Sequence, residues 1–219
     1  MRSMGAICSA ILIVIMLQVT LSLLMKTYEL DLLQYKRFIV SKSVLYMSVG
    51  TVIMVVFLHF MKWNVYSTPE MILNTVMLWG LAVLTITDYK KQILPNKFLL
   101  ALLVLWIVIA GVYCLTDIQN GFALAIQCIL GAAISGIVFF VCYFLSKRQL
   151  GAGDVKLSIL MGLYLGGQRA LNAFLYGTMI CCIYSLIQVA RKKLGWKDGV
   201  PLVPFLTIGT WIILLIFSD

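Results

Sequence analysis

Charge is what this chain has least of: Asp, Glu, Lys and Arg make up 11% of its 219 residues, where soluble domains carry roughly 25%. That scarcity excludes a soluble domain with a solvated surface. Acids are scarcer than bases, eight against seventeen, for a net charge of +9. No nucleic acid partner is needed to explain that excess, because the cytoplasmic loops of membrane proteins accumulate Lys and Arg. Histidine occurs once, at His59. The six cysteines (Cys8, Cys114, Cys128, Cys142, Cys181 and Cys182) include no C-x-x-C pair. Neither a zinc site nor a redox motif is therefore readable, and no metal or cofactor is expected. The thiols read as small apolar packing residues.

What the chain does have is apolar sequence, with a mean hydropathy of +1.05. Eight apolar runs can be marked, at roughly 5–25, 44–61, 71–87, 98–115, 121–145, 155–167, 171–190 and 202–217. These predict an all-α polytopic membrane protein with about eight transmembrane helices. The sixth run is shorter than the ~20 residues of a full span, so a tilted or partial helix is expected there. Small residues four apart, Gly131/Ser135 and Ala132/Gly136 in run five and Gly162/Gly166 in run six, predict close helix packing. His59, near the outer end of run two, reads as a packing or interfacial residue. The tryptophans include plausible interfacial anchors.

The bases orient the runs. Alternate gaps hold Lys26, Lys36, Arg37 and Lys42; Lys90, Lys91 and Lys97; Lys147, Arg148 and Lys156; and Arg191, Lys192, Lys193 and Lys197, fourteen of the seventeen. Arg2, Lys62 and Arg169 are the remainder. The crowded gaps should face the cytoplasm and both termini the outside, with run one retained as a span.

Glu29, Asp31, Glu70, Asp117, Asp198 and Asp219 fall in gaps or at the terminus, where solvation accounts for them. Two acids stand apart. Asp88 closes run three in "LTITDYKKQILPNKF", and Asp154 opens run six in "KRQLGAGDVKLSIL". The lysine pattern puts both at the cytoplasmic ends of their helices. Asp154 could simply cap its helix after the turn at Gly151 and Gly153, and Asp88 could pair with Lys90 or Lys91. Held together, they would instead form a pair sharing one proton, able to activate a water and polarise a peptide carbonyl. Glycines beside one acid would let a substrate backbone approach.

Gly151-Ala152-Gly153-Asp154 resembles the GxGD signature of intramembrane aspartyl proteases, and "GAGDVKL" with "DYKKQILPN" resembles the form found in type IV prepilin peptidases. The resemblance implies Asp88 and Asp154 as the catalytic pair. Pro95 and Asn96 fall on its motif after the first aspartate, and Lys156 on the lysine after the second, as motif support or substrate-binding residues. Lys156 could equally snorkel to the interface, and Asn96 is expected to cap the turn after Pro95. An acidic residue just after the cleavage site is the substrate group that the resemblance implies for Lys156. "PLVPFLTIG" at 201–209 is a weaker echo of the family's proline-bracketed segment, with Leu202 and Val203 in place of a Phe-Gly pair.

The resemblance covers about residues 71–217. It divides the chain into an N-terminal helix pair, 1–70, of unassigned role, and a six-helix aspartyl peptidase core, 71–219. It implies removal of the leader from prepilin or pseudopilin precursors at the cytoplasmic membrane. Many such enzymes also methylate the new N-terminus and carry a domain with paired C-x-x-C motifs. No such motif occurs here, so a peptidase without methyltransferase activity is expected, closer to the short enzymes of Flp-type pili or the archaeal preflagellin peptidases. Presenilin and signal peptide peptidase pair GxGD with Tyr-Asp, which Thr87-Asp88-Tyr89 does not match. The alternatives are a small transporter or channel, or a non-catalytic pilus-assembly scaffold. A transporter would place ionisable groups in mid-membrane, and no run here has Asp, Glu, Lys or Arg at its middle.

Overall fold

A computed structural model describes residues 42–61, 66–146, 150–193, 195 and 199–216, the side chains of 42–48, 90 and 91 excepted. Run one, Arg2, Cys8, Lys26, Glu29, Asp31, Lys36, Arg37, Lys62, Trp63, Lys147, Arg148, Trp196, Lys197, Asp198 and Asp219 lie outside the described residues.

The described residues form seven helices and no strand: α1 (Lys42–Met61), α2 (Thr68–Lys91), α3 (Asn96–Thr116), α4 (Ile118–Leu145), α5 (Ala152–Leu165), α6 (Gly167–Ala190) and α7 (Val203–Ile216). Each apolar run from 44 onward becomes one helix, as expected when every backbone polar group must be satisfied within its own segment. The protein is thus an all-α polytopic membrane protein. Among the described residues, α2, α3, α4 and α6 are long and apolar enough to cross a bilayer; α1 has 20 residues and α7 only 14. α5 has 14 residues, as its short run implied.

The helix ends follow local chemistry. Ser67 donates through both its N–H (2.9 Å) and its Oγ (2.8 Å) to Glu70 Oε2, fixing the start of α2. At the other end Gln92 turns left-handed (φ 51°) and its N–H reaches Asp88 O at 2.8 Å. Asp117 caps α4 by accepting from Asn120 N at 3.1 Å and Asn120 Nδ2 at 2.7 Å. Those two bonds, the side-chain one foremost, hold its carboxyl below the usual range. α5 and α6 meet at Gly166, whose φ of 78° favours glycine.

α2 is the central helix. Of its apolar stretch 72% is buried, against 22%, 28% and 17% for α3, α4 and α6. It packs on α1, α3, α5 and α7. Lipid is as apolar as leucine, so close packing and hydrogen bonds hold these helices rather than escape from water. The expected small-residue stripes meet one another. A Cβ on Gly162 would strike Ser135 Oγ and the Gly131 carbonyl, and one on Gly136 would lie 2.8 Å from Ile159 Cγ1. α4 and α5 therefore touch backbone to backbone. The large exposed side chains of α3, α4 and α6, such as Leu100, Val104, Ile137, Phe140 and Ile183, form a lipid-facing surface.

Candidate active site

The C-terminal end of α2 and the N-terminal ends of α3, α5 and α7 converge, and both singled-out aspartates lie there. Asp88, in the last turn of α2, is buried at 7% exposure. Its Oδ2 accepts from Val203 N at 3.1 Å, across 115 residues of chain, and the Leu202 amide supports it from beside. Val203 is the first residue of α7, so its N–H has no intrahelical carbonyl to bond. A carboxylate there meets the positive end of the helix dipole. The side chains of Lys90 and Lys91, the expected alternative partners, lie outside the described residues.

Asp154 is the third residue of α5 and half-buried. Its carboxyl folds back on the Gly151 amide, so close that a Cβ on Gly151 would lie 3.0 Å from Oδ2. Asp154 is not the N-cap of its helix, which is Gly151 and receives no side-chain cap bond; it lies within the first turn, near enough to Asp88 for the two charges to act on each other. Each carboxylate therefore lies at a helix N-terminus, Asp88 bonded by the Val203 amide of α7 and Asp154 beside Gly151 at the start of α5.

The turn between α2 and α3 ties the two motifs together. Pro95, buried, sits at the N-cap of α3 with extended backbone (φ −70°, ψ 115°) and no side-chain cap. Asn96 does not cap that turn: its Oδ1 accepts from Lys156 Nζ at 2.9 Å. Lys156 is correspondingly tethered to α3. The space beside Gly153 is not left open for a substrate backbone either, because Leu94 Cβ and Cδ1 lie 3.0 Å from where a Cβ would stand. Gly151 remains exposed.

Beside Lys156 and Asn96 opens an apolar cleft of about 390 Å³, walled by Leu99, Leu100, Leu103, Ile159 and Leu160. A second cavity of about 370 Å³ lies at the far ends of α2 and α5, with Glu70, Asn74, Gln127, Tyr164 and Arg169 among its walls. The one ion pair among the described residues, Glu70–Arg169 at 3.2 Å, is there. His59 bonds the Val55 carbonyl through Nδ1 at 3.1 Å, a contact within its own helix.

Sequence reasoning missed Val203. Its contribution is a backbone amide, which no residue letter encodes. The available signal was the bracketing of the helix start by Pro201 and Pro204, which reads as a first helical turn.

A family model described as Type IV leader peptidase family matches residues 75–186. Among curated proteins, a prepilin leader peptidase/N-methyltransferase of Stutzerimonas stutzeri is 23% identical over 145 residues, covering 64% of this chain and 48% of that protein. One of Aeromonas salmonicida (strain A449) is 27% identical over 145 residues, covering 64% and 47%. One of Pseudomonas aeruginosa is 25% identical over 162 residues, covering 71% and 53%. The chain spans about half the length of the curated relatives it matches. No solved structure matches it.

Proposed function

The chain belongs to the type IV leader peptidase family, and from that premise we propose that it is a membrane aspartyl endopeptidase, with Asp88 and Asp154 as its catalytic pair, that removes the leader of prepilin-like precursors. The observation that carries this reading is the placing of two carboxylates from different helices at one end of the bundle, one bonded by the first amide of α7 and the other in the first turn of α5.

The chemistry follows from that placement. One carboxylate is ionised and takes a proton from a water as the water's oxygen attacks the scissile carbonyl. The other is protonated and donates to the carbonyl oxygen as it gains charge. The proton gathered from the water then goes to the leaving amine as the C–N bond breaks, and a hydroxyl of the collapsing diol returns a proton to the carboxylate that had donated one. Through these steps the pair carries about one negative charge, which the amide-lined ends of α5 and α7 offset. The apolar cleft between α3 and α5 suits the hydrophobic segment that follows the scissile bond, with Lys156 at its mouth for an acidic group of that segment. Flp-type pilins and pseudopilins are the substrate class.

Lys97 and Lys156 flank this end while Arg169 marks the other, which supports a cytoplasmic site in the cell membrane with the termini outside. Residues 71–219 form the peptidase core in this reading, with 1–70 as an added helix pair. Hydrolysis without methyl transfer is proposed, since no C-x-x-C pair occurs in the sequence.

The test is co-expression of the full chain with a candidate prepilin and a gel shift for leader loss. Asp88→Asn and Asp154→Asn should each leave the precursor uncut while the protein accumulates in membranes. Normal processing by either variant would sink the assignment.

A further inference from the structure

Three contacts join the C-terminal half of α2 to the α7 region, and they fall in register. Thr85 Oγ1 and Thr207 Oγ1 share a hydrogen bond of 2.7 Å. Asp88 Oδ2 receives Val203 N–H at 3.1 Å. Gln92 Nε2 donates to Gly199 O at 3.2 Å. Residues 85 and 88 lie on one stripe of α2 and Gln92 follows just past its end, and their partners 207, 203 and 199 run the opposite way at four-residue steps. The middle rung is also held from behind, because Thr207 Oγ1 donates to the Val203 carbonyl at 2.9 Å. The Val203 peptide is thus pinned at its carbonyl by a threonine and aimed by its N–H at Asp88.

A backbone N–H can only donate, so this bond favours an Asp88 oxygen that carries no proton. Pro204, next in the chain, has no N–H, which leaves the Val203 amide as the outward-facing donor at this position of the first turn. α7 brings no titratable residue towards Asp88. α5 brings Asp154, and Lys156, which is turned to Asn96.

We infer that Val203 is a positioning residue: its clamped amide fixes Asp88 as the ionised member of the pair, the group that takes the proton from water, and so leaves Asp154 as the protonated member that donates to the carbonyl oxygen. This rests on the peptidase reading above. It assigns the two aspartates different roles, and it gives the proline-bracketed segment at 201–204 a task that side chains alone do not reveal.

The experiment uses the purified full chain in detergent with a prepilin substrate, measuring kcat and KM across pH. Val203→Pro removes the N–H at a position where proline suits a helix start. Val203→Ala keeps the N–H and removes the packing. The proline variant should lose about 10- to 100-fold in kcat with KM within about twofold of wild type. The acidic limb of its rate profile should move to higher pH, because a carboxylate without its donor protonates more readily. The alanine variant should keep both kcat and that limb. Should Val203→Pro fail to accumulate, the double variant Thr85→Val, Thr207→Val releases the clamp and should move the acidic limb the same way. An unshifted limb in Val203→Pro, or in the double variant where the proline variant does not accumulate, overturns the inference, as does an equal shift in Val203→Ala. If Asp88→Asn still cuts, the peptidase pair itself is wrong; if Asp88→Asn is dead and the limb is unmoved, only the positioning role is lost.

Discussion

Helix α2 carries a carboxylate near each end, and the fold treats the two in opposite ways. Glu70 is saturated. One oxygen accepts twice from Ser67, the other takes Arg169 Nη1 at 3.2 Å, and that guanidinium lies 4.8 Å from the centre of the Tyr66 ring. Its charge is balanced and its geometry closed, so it can hold α2 to α6 and do little else. Asp88 is bonded by backbone amides, and the charge of another carboxylate acts on it. Two carboxylates brought near each other in a buried place cost stability, and that cost has a use where protons are to move.

This contrast can be broken or sharpened by substitution. The largest effect is expected at Asp88 and Asp154. Replacing either with Asn should lower leader cleavage by at least about a thousandfold without altering the melting temperature downward, and a variant that is both unstable and active would erase the distinction between the two ends. Glu70→Gln should do the reverse. It removes one side of the ion pair and costs about 1–3 kcal/mol, read as a lower melting temperature in detergent, while kcat stays at the wild-type value. Loss of kcat in that variant would mean that the far end is not merely structural. Lys156→Met is expected to act on binding rather than on turnover, raising KM by about two- to tenfold with kcat little changed, measured on one prepilin substrate. The smallest effect belongs to Asp117. Its carboxyl is held below the usual range by Asn120, so its stabilising share is present above the ordinary carboxylate range and fades as pH falls through the lowered value. Asp117→Ala should therefore narrow slightly the loss of melting temperature between neutral and acidic pH, and leave cleavage untouched.

Much of this was legible in the sequence. The helices follow the apolar runs within a few residues, because in lipid an apolar run has only a helix to form. The placing of Asp88 and Asp154 at one end came from counting lysines, and the convergence of α2, α3, α5 and α7 agrees with it. What escaped was whatever depends on backbone or on shape. Val203 acts through an amide, Leu94 fills the space beside Gly153, and Asn96 turns to Lys156 rather than to its own helix start. By contrast, α1 and α7 match runs two and eight to within two residues at each end.

Two of the shortest described helices, α5 and α7, have 14 residues each; α5 carries Asp154 in its first turn, and α7 begins at the amide that bonds Asp88. Fourteen residues rise about 21 Å, while the hydrocarbon they share with α4 is roughly 30 Å deep. Either the bilayer dips at this spot or the polar ends of both helices sit below its surface. Either would bring the boundary between oil and water towards the carboxylates. A peptidase with its site there would not need to haul a peptide bond beside a membrane helix out of the bilayer; two short helices would lower the waterline to it.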